Sequence, residues 1–245
     1  MKRLIHVVMY HDQSNKMNFY NNSLTSRKYL SLIKRKKINN KDFIFKNQAM
    51  LMGDKSFYRI LKLQELLKDL KNVNGDIIEF GIWNGNNLFA MKKVLEYLDQ
   101  KKKIFGFDNF MGFPNPVGYN KNKKNKGIYA GDPKLIKFII NFFKFKKIEI
   151  INDDILNLDN YLYKFNRLSF IYIDCNVYKP VKKILELLEK KLSVNGYIAF
   201  DEGQNNIKSG EGRALNEFYK KNKKKFQLLK LKKNYQPDIL LKKIK

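Results

Sequence analysis

From residue 54 onward the chain alternates between two periods of apolar spacing. In "DKSFYRILKLQELLKDLKNV" the apolar positions Phe57, Ile60, Leu61, Leu63, Leu66, Leu67 and Leu70 recur at helical spacing, with Asp54 placed to cap. From residue 76 short apolar runs alternate with helical segments. The runs predict strands over 77–82, 103–107, 148–151, 168–174 and 197–201, and near 226–231 and 238–241. Between them the spacing predicts helices over 86–98, 133–143, 180–191 and 212–221. Such alternation predicts an α/β fold: a mostly parallel seven-stranded sheet with helices on both faces. The last two strands are joined only by "KKNYQ", so they should pair antiparallel.

Outside this pattern lie two stretches. Residues 1–52 mix Lys, Asn and aromatics without a clean period. They read as an arm or cap with helix over 24–37, ahead of one domain over 53–245. "GFPNPVGYNKNKKNKGIYAG" (112–131) is a long polar insertion after a strand end, where lids tend to sit.

A length of 245 residues with 44% apolar content suits one α/β domain with an added arm. No apolar run reaches the ~18–20 residues that cross a bilayer, and the opening "MKRLIHVVMYHDQSNK" meets Tyr10, His11 and Asp12 too soon for a signal peptide. Cys175 is the sole cysteine, which rules out an internal disulfide and a cysteine metal cage. The expected location is the cytoplasm. The net charge of +27 invites a nucleic-acid partner. Yet arginine, the better reader of phosphates and base edges, stands only at 3, 27, 35, 59, 167 and 213. The lysines come with many asparagines and isoleucines, as an A/T-rich coding bias would produce. Nucleic acid is therefore disfavoured, while an anionic substrate or membrane surface stays open.

In so basic a chain the acids are the informative minority. Glu79, Asp108, Asp153, Asp154, Asp174, Asp201 and Glu202 all fall at the carboxyl ends of predicted strands. In an open parallel sheet that edge is where ligands bind. Acids also cap the helices that follow strands, but so many on one edge point to a shared site.

The corner "EFGIWNGNN" after the first strand lacks the GxGxxG of a dinucleotide site, since Gly81 and Gly85 are four apart. Gly81 would let backbone approach a ligand, and Gly85 would open a helix whose amino end favours a carboxylate. Asp108, with Asn109 and Phe110 after it, ends the next strand, where an acid can hydrogen-bond a ribose diol. A ligand with a ribose and a carboxylate but no pyrophosphate fits, and S-adenosylmethionine is one. Glu79 would suit its amino group and sulfonium. If the strands ending in Asp174 and Asp201 are neighbours, Asp174, Asp201 and Glu202 could share a hard divalent cation, ordinarily magnesium.

Together "EFGIWNGNN", "GFDNFMGFP", "LSFIYIDCNVYKPVKKILELLEKKLSVNGYIAFDEG" and "GEGRALNEFY" resemble the macrocin O-methyltransferase (TylF-like) family. That family lies within the class I S-adenosylmethionine-dependent methyltransferases, with their Rossmann-like fold. The resemblance covers roughly residues 75–220. It implies that Glu79, Gly81 and Gly85 line the methionine end of the cofactor, Asp108 the ribose, and Asp153 or Asp154 the adenine side. It also implies that Asp174, Asp201 and Glu202 hold magnesium, which binds acceptor hydroxyls. Two positions depart from the family pattern: Asn176 stands where a second acid is usual, and the pair after the fifth strand is Asp201-Glu202 instead of Asp-Asp.

The function expected is O-methyl transfer to a sugar or other small-molecule or glycan acceptor, anionic or nucleotide-linked ones included. Asp174 is the expected proton acceptor. Trp83 and Phe110 are read as cofactor or core packing, Tyr178 as acceptor-pocket lining or helix-start packing, and Cys175 as a buried filler. His6 and His11 sit in the arm, which is also the expected route to a homo-oligomer. An RNA methyltransferase and a non-catalytic binding module on the same fold are the competing readings.

Overall fold

The computed structural model describes residues 48–113, 127, 129–204 and 210–245. The helix expected over 24–37, both histidines and most of the 112–131 insertion lie outside the described residues. The chain divides into two units, residues 1–57 and 58–245, and the second holds every described strand. No helix among the described residues is long and apolar enough to cross a membrane.

In chain order the elements are α1 (Gln48–Leu51), α2 (Asp54–Asp69), β1 (Asp76–Phe80), α3 (Asn86–Tyr97), β2 (Ile104–Asp108) and α4 (Pro133–Phe142). They continue with β3 (Ile148–Asn152), a 3₁₀ segment (Ile155–Lys164), β4 (Leu168–Ile173), α5 (Tyr178–Leu188) and β5 (Leu192–Phe200). The chain closes with α6 (Gly210–Asn222), β6 (Phe226–Lys230) and β7 (Ile239–Lys243).

The strands form one seven-stranded sheet in the order β3-β2-β1-β4-β5-β7-β6. The first five run parallel, and β7 lies antiparallel between β5 and β6. This is the predicted mixed sheet, although the insertion of β7 between β5 and β6 was not legible. Two elements differ from the pattern. The strand β5 starts at Leu192, because the polar "SVNG" hides a bulge: its pairing with β4 shifts between Leu168 and Phe170, and Asn195 sits at φ 65°. The 3₁₀ segment, capped by Asp154, has no helical apolar period long enough to announce it.

Each face of the sheet carries its own core. Ile77, Phe170, Tyr172 and Ala199 pack with Leu63, Leu67 and Leu70 of α2 and its following turn and with Leu88, Met91 and Leu95 of α3. On the other face Ile78, Phe80, Ile171, Ile173 and Phe200 pack with Val181, Ile184 and Leu185 of α5 and Ala214 and Leu215 of α6. Every residue of β4 is buried, which is why its sequence reads as one apolar run rather than an alternation.

Candidate active site

The sheet order reverses between β1 and β4, since β1 leads outward to β2 and β3 while β4 leads to β5. The crevice beyond the carboxyl ends of these strands is the binding edge of such a sheet. The corner after β1 is held there by backbone contact. Gly81 lies at φ 85°, and a Cβ on it would stand 1.9 Å from the Asp174 carbonyl oxygen. Its glycine is thus required by the end of β4, where the sequence suggested approach to a ligand. Gly85, at φ 80°, opens α3 without a side-chain cap, leaving that helix end to other acceptors.

Glu79 is buried on the α2/α3 face. One carboxylate oxygen, Oε1, accepts from Asn87 Nδ2 at 3.0 Å, and Oε2 is buried without a partner among the described residues. Burial pushes its pKa up to about 8, helped by Asp201 and Asp108 and opposed by the Asn87 bond and Arg59. Asp108 accepts from the backbone N–H of Trp83 and of Phe110, each at 2.8 Å, so it ties the glycine corner to the turn after β2. Burial raises its pKa while these backbone bonds pull it down. A carboxylate has lone pairs left after two such bonds, so a ribose diol can still be received there.

The other residues expected at the cofactor have local tasks. Asn109 Oδ1 accepts from Met111 N–H within the same turn. Phe110 is buried in the α2/α3 core, which is the packing reading, while Trp83 is 38% exposed with its ring edge-on to Tyr129. Asp153 accepts from Asn157, Tyr161 and the Asp154 N–H, which lower its pKa, and its own N–H donates to the Asp108 carbonyl. Asp154 caps the 3₁₀ segment through Leu156 N–H. Tyr178 donates to Glu217 across to α6, the packing role. Burial raises the Cys175 thiol well above its ordinary value, as suits a filler rather than a nucleophile.

At the ends of β4 and β5 a second group of acids gathers. The strands are neighbours, with Ile173 beside Phe200, so Asp174 and Asp201 leave the sheet side by side. Asp201 is buried; its Oδ1 accepts from Tyr172 OH at 2.6 Å and pairs with Arg59 of α2 at 3.3 Å. Arg59 also reaches Gln236 Oε1 in the turn before β7. Burial lifts the Asp174 pKa well above the ordinary range, with Asp201 adding to the rise and Arg59 opposing it. Glu211 of α6, also buried, accepts from the Glu202 N–H at 3.0 Å through Oε1, while its Oε2 has no partner among the described residues. Asp238 accepts from Gln204 N–H, and burial pushes its pKa up to about 6.

These positions do not form the expected cation cage. Among the described residues no group of three or more His, Cys, Asp or Glu side chains is placed to share a metal ion. One physical reason stands behind this. The Asp201 oxygen is already engaged by a resident cation, Arg59, and by Tyr172. The arrangement therefore does not fit magnesium on Asp174, Asp201 and Glu202, and no step below runs through a metal.

Arg59, Tyr172, Glu211, Gln204, Gln236 and Asp238 escaped the sequence reading. Two signals were available: Arg59 is one of few arginines in a lysine-rich chain, and Tyr172 carries the only phenol in the apolar run of β4.

The mixed sheet order and the crevice at β1 and β4 define a class I methyltransferase fold. The chain belongs to the macrocin-O-methyltransferase (TylF) family, whose model matches residues 8–233. It is 23% identical over 163 residues to demethyldecarbamoylnovobiocin O-methyltransferase of Streptomyces niveus, covering 59% of each chain. To a tetracenomycin rhamnosyl 4'-O-methyltransferase of Streptomyces olivaceus it is 23% identical over 145 residues, covering 53% of each. The chain thus spans little more than half the length of these curated relatives. In fold it is similar to the calicheamicin methyltransferase CalS11, with a TM-score of 0.72 at 19% identity over 89% of this chain and 91% of that one.

Proposed function

We propose that this protein transfers a methyl group from S-adenosylmethionine to a hydroxyl of a sugar or glycan acceptor. The observation that carries the reading is the switch-point crevice, where Glu79, Asp108, Asp174 and Asp201 share one electrostatic field and Glu79 Oε2 is buried without a donor among the described residues. A buried carboxylate oxygen without a donor is costly, and an incoming ammonium group relieves it. Family membership supports methyl transfer, and the relatives named for rhamnosyl and novobiocin-type acceptors support a sugar hydroxyl.

When bound, S-adenosylmethionine supplies an electrophilic methyl on a sulfonium. Asp108 would receive its ribose hydroxyls, and Glu79 its amino group, giving up a proton in doing so. Asp174 takes the proton of the attacking acceptor hydroxyl. Its raised pKa makes its carboxylate form, which a neighbouring sulfonium would favour, a stronger base than an exposed aspartate. Arg59 holds Asp201 as an anion beside it, and the crevice fixes the line of attack.

The test is calorimetric titration of S-adenosylmethionine into the native protein, Glu79→Gln and Asp108→Ala, followed by transfer assays with sugars and nucleotide sugars. Binding by the native protein that both variants lose supports the site; no binding by the native protein overturns the reading. Because Arg59 already counters Asp201, transfer should survive treatment with EDTA. A loss restored by magnesium would show that the metal displaces Arg59.

A further inference from the structure

We infer that α4 and the turn after it dock this protein onto an anionic membrane surface, lying in the headgroup region without crossing it. The inference is independent of the reaction proposed above. The exposed face of α4 runs through Lys134, Lys137, Phe138, Asn141 and Phe142, and Phe143 and Lys144 continue it past the helix end. Phe138 is 46% exposed, Phe142 67% and Phe143 57%. From 133 to 148 the sequence holds five lysines, at 134, 137, 144, 146 and 147, and no acid. One of them, Lys147, donates to the Lys101 carbonyl.

The aromatic rings form a continuous ladder. Phe138 stacks on Phe142 with centroids 5.8 Å apart, Phe142 meets Phe143 edge-on at 5.1 Å, and Phe143 stacks on Phe145 at 5.5 Å. The foot of the ladder is anchored, because Phe145 lies 5.9 Å from Phe89 of α3. The rings are therefore held in place on a helix whose opposite side is fixed by the buried Ile136. Helix termination also contributes: Lys144 takes a left-handed conformation at φ 53°, and Phe145 N–H returns to the Ile140 carbonyl, which closes the helix and leaves Phe142 and Phe143 at the surface.

Charge decides among occupants. A second copy meeting this face through a two-fold axis would set five lysines against five, on a chain already at +27. A nucleic acid would need free ring faces for base stacking, and here the two stacked pairs spend faces on each other. Exposed aromatics rimmed by lysines match the apolar–polar boundary of a bilayer with anionic headgroups.

The experiment is flotation of the full-length protein with vesicles of phosphatidylcholine alone and of phosphatidylcholine containing a third phosphatidylglycerol. The native protein should float with the anionic vesicles only, and added salt should weaken the binding. Replacing Phe138, Phe142 and Phe143 by Ser should weaken it at least tenfold while the net charge is unchanged. The single variant Phe142→Trp keeps an aromatic ring there, so it should float like the native protein and its emission should shift to the blue on anionic vesicles. No binding to anionic vesicles would overturn the inference. Equal binding by the native protein and the serine variant would overturn it too, by showing diffuse charge attraction alone. So would a change of oligomeric state, or loss of single-stranded RNA binding, as the sole consequence of the serine substitutions.

Discussion

The two halves of the crevice handle their acids in opposite ways. On the β1–β2–β3 side Asp108, Asp153 and Asp154 are satisfied by backbone N–H groups of nearby turns, with neighbouring side chains helping Asp153. On the β4–β5–β7 side Asp201 relies on Arg59, which is 142 positions away in sequence, and on Tyr172. The first half is built from local loop geometry, and in the proposed reaction it is the side that receives the cofactor. The second half is held by long-range side chains, and in the proposed reaction it faces the acceptor. That contrast can be broken at named residues.

The largest effect should come from Arg59→Met. It strips the buried Asp201 of its cation, and removing one partner of such a pair costs about 3–5 kcal/mol. Urea unfolding at neutral pH measures it, and the loss should shrink at low pH, where Asp201 can be protonated. A cost below about 1 kcal/mol would mean that the far half does not depend on its long-range cation.

Next in size is a pH dependence centred on Glu79. Its folded pKa of about 8 stands above the ordinary 4.5, so the folded state holds a proton that the unfolded chain releases between those values. The stabilisation is fully present below pH 4.5 and is lost as pH rises toward 8. Asp238, raised to about 6 from 3.8, acts in the same direction. From Glu79 alone, ligand-free stability should fall by about 3–4 kcal/mol from pH 5 to pH 8, and Glu79→Gln should flatten the curve. Binding of S-adenosylmethionine should release a proton at pH 7, seen as a binding enthalpy that varies with the buffer. A pH-independent melting temperature would contradict this.

Tyr172→Phe should cost about 2 kcal/mol, the loss of one hydrogen bond to a buried carboxylate. Asp108→Asn should be smallest in stability, about 1 kcal/mol, since an amide still accepts from one of the two N–H groups. Its cofactor affinity should nonetheless drop at least tenfold. If Asp108→Asn unfolds the protein more readily than Arg59→Met, the distinction between the halves is wrong.

What was legible in the chain follows the same division. The strand-end acids, the glycine corner and the parallel order could be read because strand periodicity, turn glycines and family motifs are short-range signals. The ring of partners around Asp201 could not, because Arg59 lies on a helix that reads as an ordinary apolar stripe. Gly81 was read as a required glycine from its corner, and only the fold adds the Asp174 carbonyl that a Cβ there would meet. The contact of Arg59 with Asp201 joins residues 142 positions apart, which no local pattern announces.

By itself the sequence determined the α/β alternation, the buried central strand β4, and the set of acids at the sheet's carboxyl edge, because apolar period and strand length depend on neighbouring residues. Tertiary structure alone decided that β7 enters between β5 and β6, that Arg59 faces Asp201, and that Phe138, Phe142 and Phe143 stay outside the core. Each of these depends on which distant surfaces meet, and burial free energy is summed over whole faces rather than written in any one segment.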